Sequence, residues 1–157
     1  PATSLHRVEA VTGGNRISNV VTGGTQTNYC GNVAKYTWTD GAPTASATAN
    51  DCGLYVPGTG GAFRIVVPAD TTSRTLYIDF GVWFADATVT APLGDGSDSS
   101  YVDSTLRNPG GTTNRRYAIP YSAQTPGQSL AVQISITNAY STMWGPGNAT
   151  LGAAALA

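Results

Sequence analysis

Chemistry has few places to sit in this chain of 157 residues: one histidine, two cysteines and nine carboxylates. Glycoside hydrolysis needs a pair of carboxyl groups, one of them held protonated near neutral pH. Most of the acids here stand in turn contexts such as Asp40-Gly41 and Asp95-Gly96. A Ser-His-Asp arrangement has only His6 to draw on, close to the start of the chain. With no catalytic motif and no metal-finger spacing, the sequence predicts a protein that is not an enzyme. Asp95, Asp98 and Asp103 do share one Gly/Ser-rich loop and offer the hard oxygen ligands that Ca²⁺ prefers. They lack the EF-hand spacing and its terminal bidentate Glu. Two readings stand for them: a structural Ca²⁺ site, or a solvated turn in which each Asp caps its own backbone. No other cofactor is expected.

The aromatic residues are the second source of chemistry. Trp144 lies in Met-Trp-Gly-Pro-Gly, a loop, where an exposed ring can stack on a sugar or insert into a partner subunit. The competing expectation is a ring folded back over the edge of the fold. Trp83 and Tyr77 flank Asp79 on one face of an alternating stretch, a row suited to a sugar platform or a subunit contact. Trp38 is expected in the core. Asn148-Ala149-Thr150 is the one N-glycosylation sequon, and the abundant Thr and Ser would also permit O-linked glycans.

Positioning these residues falls to strands. From Arg74 to Gly96, Leu76, Ile78, Phe80, Val82 and Phe84 alternate with Tyr77, Asp79, Gly81, Trp83 and Ala85. Period two of this kind buries one face and shows the other. Asp86-Ala87 interrupts the run and Val89, Ala91 and Leu93 resume it, which predicts a long central hairpin. Phe63, Ile65 and Val67 alternate up to Pro68. Tyr117, Ile119 and Tyr121 form a further strand, in which Pro120 calls for an edge position. Leu130, Val132, Ile134 and Ile136 form another, and Asn148 to Ala157 closes the chain with small residues. No segment has a 3.6-residue period. About ten short strands separated by turn signals predict a single all-β domain over 1–157, an antiparallel jelly-roll-like β-sandwich. Its core should contain Leu76, Ile78, Phe80, Val82, Leu130, Val132, Ile134, Phe63 and Ile65.

Composition narrows the setting. Charged residues are 11% of the chain, against roughly 25% in an average soluble domain, with Lys35 the one lysine and Glu9 the one glutamate. No basic patch can neutralise phosphates, which excludes nucleic acid as a partner. No apolar run reaches the ~20 residues of a membrane-spanning helix. Cys30 and Cys52 form an even pair read as a disulfide, the alternative being two buried thiols. The disulfide reading, and a start at Pro-Ala-Thr without Met, point to a secreted or cell-surface protein.

Seven pieces of the chain, YTWTDG, PTASAT, FRIVVPADTTSRTL, DFGVW, LGDGSDSSYVDST, the Tyr-rich strand before TPGQSLAV, and GNATL, stand in the order found in a module of secreted bacterial multidomain proteins. Over about two thirds of its length the chain resembles this carbohydrate-binding-module-like, galactose-binding-like β-sandwich. The resemblance implies a sandwich without catalysis. Two functions are therefore expected. The first is a self-assembling subunit of an extracellular filament or surface layer, a homo-oligomer or polymer, in keeping with the low charge and the strand-forming ends. Its closing segment ATLGAAALA would pair with a neighbouring copy. The alternative is a lectin-like module whose partners are glycans stacked on exposed aromatics.

Overall fold

The computed structural model describes residues 7–8, 17–39, 41–42, 44–97 and 100–157. His6, Glu9, Asp40, Asp98 and the turn at 12–14 lie outside them. Among the described residues there is no helix. The strands are β1 (Arg7–Val8), β2 (Ser18–Thr22), β3 (Thr27–Tyr29), β4 (Tyr36–Trp38), β5 (Gly41–Ala42), β6 (Ala47–Asn50), β7 (Gly53–Pro57), β8 (Ala62–Ala69), β9 (Arg74–Ala91), β10 (Tyr101–Tyr121), β11 (Gln128–Ala139), β12 (Ser141–Thr142), β13 (Gly145–Pro146) and β14 (Asn148–Leu156). The result is an all-β, almost wholly antiparallel sandwich of jelly-roll type.

Its organiser is β9, which belongs to both layers. Along one edge it pairs with β10 over nearly its full length, from Arg74↔Tyr121 to Ala91↔Tyr101. Along the other edge it changes partner. Leu76 to Trp83 pair with β14, whereas Ala85 to Thr90 pair with β11. The change falls at Phe84, whose φ of 48° is left-handed. One residue in that conformation bends the strand and shifts its parity, as a bulge at a sandwich corner does. Before it the even positions Leu76, Ile78, Phe80 and Val82 are buried; after it the odd positions Ala85, Ala87, Val89 and Ala91 are. The expected central hairpin is thus one continuous strand of 18 residues, and the interruption at Asp86-Ala87 is the shadow of the bulge. Phe84 itself, expected inside, is only half-buried.

The first layer is β2-β8-β11, the second half of β9 and the first part of β10; the other is the rest of β10, the first half of β9, β14, β7 and β3. All nine expected core residues are buried, at 0–1% exposure, in one contiguous apolar cluster. Trp38 is also buried, but as part of the two-stranded β4–β6 sheet rather than in that cluster. Pro120 is on β10, which among the described residues pairs only with β9, so its missing N–H costs no ladder bond. Pro68 does not end its strand, since it still faces Ser129 of β11.

The closing segment ATLGAAALA does not pair with a neighbouring copy as the assembly reading expects of it. β14 lies inside its own sandwich, paired to β9 on one side and to β7 and then β1 on the other. Apolar residues suit it to this place: Ala149, Leu151, Ala154 and Leu156 are all at 2% exposure or less. Asn148 to Leu151, Ala154 and Ala155 have strand partners on both sides within the chain, so most of this strand presents no free edge.

Candidate functional site

The outward face of the second layer is read directly from the register. Tyr77, Asp79, Gly81 and Trp83 of β9 lie in one row, opposite Ala118, Arg116, Asn114 and Thr112 of β10. On the other side of the row stand Ala155, Ala153, Thr150 and Asn148 of β14. Tyr55 and Pro57 of β7 extend it beyond β14.

Gly81 is where this face changes character. A Cβ there would collide with Asn114 Oδ1 and would lie 2.5 Å from Thr150 Oγ1, so only glycine lets those side chains converge over the strand. Asn114 Nδ2 donates to Asn32 Oδ1 at 2.8 Å, and Asn32 Nδ2 donates to the Tyr29 hydroxyl at 2.9 Å. The Thr150 side chain bonds the same Tyr29 oxygen, and burial raises the Tyr29 pKa above its usual value, which keeps the phenol neutral. Asn32 is fixed from behind: its N–H donates to Asp51 O at 3.0 Å, beside the Cys30–Cys52 disulfide. The predicted disulfide is therefore present and straps the 30–34 loop across the sheet. Replacing both cysteines by serine is expected to cost about 3 kcal/mol by the chain-entropy account. It should also loosen the Asn32 bridge, seen as faster amide exchange at Asn32 and Ala34; unchanged exchange would show that the strap does not hold the loop.

On one side of the bridge lies a cleft of about 510 Å³, within the range of small-ligand sites. Its floor and walls are Trp83, Tyr55, Tyr29, Asn148 and Thr150, with Thr112 and Val33 at the rim. Trp144 completes it from the β12–β13 hairpin. Thr142 Oγ1 accepts the Trp144 N–H at 3.1 Å and donates to Gly145 O at 2.7 Å, which sets the hairpin tip. The hairpin is anchored to the bulge, for Tyr140 N–H donates to Phe84 O and Gly147 N–H donates to Tyr140 O. Trp144 thereby stands with its ring centroid 6.5 Å from that of Trp83, the planes tilted by 47°. It is 77% exposed, not folded back over an edge. Among the cleft's lining residues there is no Asp, Glu, His, Lys or Arg. Asn148 Oδ1 is buried and accepts no hydrogen bond.

The structure thus brings together Trp83 and Trp144 and separates them from Tyr77 and Asp79. Those two line a second groove across the Asn32 bridge, with Arg116 and Lys35. The Arg116 guanidinium grips Asp79, from Nε to Oδ1 and Nη2 to Oδ2, each at 3.0 Å. Asn148, the sequon residue, is 9% exposed in mid-sheet, where an attached glycan would have to occupy the cleft floor. Asp95 and Asp103, two of the three aspartates of the Ca²⁺ reading, do not share a loop. Asp103 is in β10 and buried, its carboxylate taken up by Arg115, Tyr117 and Thr105. Asp95 accepts the N–H groups of Ser97 and Gln124, which is the turn-capping alternative. Asp98 is outside the described residues. Sequence reasoning missed Tyr29, Asn32, Tyr55, Asn114 and Thr150. Gly81 inside an otherwise bulky alternating strand was the one local sign that something approaches the backbone there.

No family model matches the chain, and no curated protein does. Solved structures with related folds are found at low identity. TmCBM61 in complex with beta-1,4-galactotriose is 10% identical with a TM-score of 0.47, over 92% of this chain and 88% of that one. The enzymatically active domain of bacteriophage CBA120 tailspike protein 4 is 13% identical with a TM-score of 0.43, over 90% of this chain and 19% of that one. Xyl-CBM35 in complex with a glucuronic acid containing disaccharide is 18% identical with a TM-score of 0.40, over 95% and 91%. The module type that the sequence resembles is represented among these neighbours.

Proposed function

We propose that the chain is a non-catalytic, extracellular carbohydrate-binding module, and that the Trp83–Trp144 cleft holds a neutral glycan. The observation that carries this reading is the pair of tryptophan rings, Trp83 and Trp144, with centroids 6.5 Å apart over a cleft whose lining is free of charge. The polar groups around the rings, Asn148, Thr150, Thr112 and the Tyr55 and Tyr29 phenols, are all neutral, the kind of hydrogen-bonding lining that suits sugar hydroxyls. Pyranose rings present flat C–H faces that match indole rings, and hydroxyl edges that match amides. A charged ligand finds no counter-ion in this lining. The absence of a carboxylate there also leaves no general acid for glycosidic cleavage.

The test is isothermal titration against a panel of neutral oligosaccharides. Trp144→Ala removes an exposed side chain and should leave the fold intact. For a ligand that binds, Trp83→Ala and Trp144→Ala should each weaken affinity by about 30-fold, corresponding to about 2 kcal/mol for a central aromatic contact. A protein that binds no neutral glycan, or binds one equally well without both rings, would sink the proposal. With β14 folded into its own sheet, no second copy is needed to complete the fold, and the protein is expected to sediment as a monomer.

A further inference from the structure

The groove across the Asn32 bridge has the opposite chemistry from the cleft. It measures about 410 Å³ and has a floor of small residues on β14, Gly152, Ala153 and Ala155. Tyr77 stands on it 41% exposed. Its charged lining residues are Lys35, Arg116 and Asp79, two cations against one anion. Asp79 does not cancel Arg116 as a binding group. The carboxylate takes the Nε/Nη2 side of the guanidinium. That leaves the Nη1/Nη2 end, with its two parallel N–H bonds, open for a second carboxylate in the bidentate geometry that arginine favours. Asp79 also fixes the plane of the fork, so little rotamer freedom remains to be lost on binding. The Arg116 side chain is 64% exposed, so the open end is accessible. Lys35 forms no ion pair among the described residues. Tyr77 and Arg116 sit diagonally across the β9–β10 pair, close enough for one ligand to meet both.

We infer that this groove is a second glycan site, separate from the neutral cleft, which takes a carboxylate-bearing sugar unit on the open end of Arg116 and the face of Tyr77, with Lys35 as the supporting charge. The two sites have no lining residue in common. The inference does not depend on the Trp83 cleft binding anything, and it fails or stands by its own variants.

The probe is a galacturonic acid trisaccharide, titrated beside its carboxyl-reduced counterpart and beside acetate. The full chain carrying Trp83→Ala and Trp144→Ala together should bind the acidic trisaccharide as the unaltered chain does. Arg116→Gln and Tyr77→Ala, each made separately, should lower that affinity about tenfold or more, and Lys35→Gln less. Binding should weaken as salt is raised, and the carboxyl-reduced trisaccharide should not bind in this groove. Acetate binding as tightly as the trisaccharide would reduce the site to a bare anion contact and overturn the sugar reading. Loss of acidic-glycan binding with the two tryptophans, or its survival in Arg116→Gln, would overturn the assignment of the site. Chemical shifts of Gly152 and Ala153 report occupancy independently of affinity: if they stay still while the trisaccharide binds, the groove is not where it sits.

Discussion

Gly147→Ala should destabilise the protein by about 3 kcal/mol or more and abolish glycan binding in the Trp83 cleft. The methyl group would fall on the carbonyl oxygen of Phe84 and within 2.9 Å of that of Trp83. Both are backbone atoms at the sandwich corner and cannot rotate aside, so relief requires moving β9 or the start of β14. Overpacking of this kind typically costs 1–3 kcal/mol and more where the neighbour is rigid. The β12–β13 hairpin returns to the sheet through Gly147, whose N–H donates to Tyr140 O. Displacing it carries Trp144 away from Trp83. A denaturant titration and a glycan titration on the same variant check both halves. A stability loss below about half a kcal/mol would mean that the corner is looser than its contacts say.

Asp103→Asn should cost about 3–5 kcal/mol, toward the lower end because Arg115 keeps part of its guanidinium in water. Asp103 is 9% exposed and receives four hydrogen bonds, from Arg115 Nη1 at 2.6 Å, Thr105 Oγ1 at 2.7 Å, and Tyr117 O–H and Thr105 N–H at 2.8 Å. Burial alone would raise its pKa; the hydrogen bonds from Thr105, Tyr117 and Arg115 outweigh it and hold the carboxyl well below the usual carboxylate range. A depressed folded-state pKa stabilises the fold above the unfolded value of about 3.9. That contribution is lost progressively as pH falls below about 4 toward the folded-state value. Unfolding curves from pH 6 down to pH 2 should therefore fall more steeply for the natural protein than for Asp103→Asn. Parallel curves would assign acid sensitivity to other groups.

What the sequence made legible was parity. Alternation placed Leu76 to Val82, Phe63 and Ile65, and Leu130 to Ile134 on buried faces, and the same alternation put Trp83, Asp79 and Tyr77 on one outward row. It failed at Phe84, because a single left-handed residue flips the alternation and is indistinguishable in the letters from a turn. The candidate site was half visible for a related reason. Trp83 and Trp144 are conspicuous residue types, but their meeting depends on a hairpin anchored to that same bulge. Asn32 and Tyr29 reach Asn114 and Thr150 from about 80 to 120 positions away, a distance over which no local pattern carries. The aspartates misled by proximity: Asp95 and Asp103 are near neighbours in sequence, yet one caps a turn and the other faces inward from an edge strand.

The place of β14 bears on how the molecule reaches its native state. Its partners β7 and β9 are made long before it: Leu151 meets Leu54 and Phe80. Such distant pairings put the chain among high-contact-order topologies, which fold in milliseconds to seconds rather than microseconds. Until β14 arrives, β7 and the first half of β9 expose bare edges with an apolar inner face between them. At high concentration during refolding, the strand best shaped to fill that slot is the β14 of another molecule. Exchange of that strand between two chains would give a swapped dimer in which every native pairing is kept.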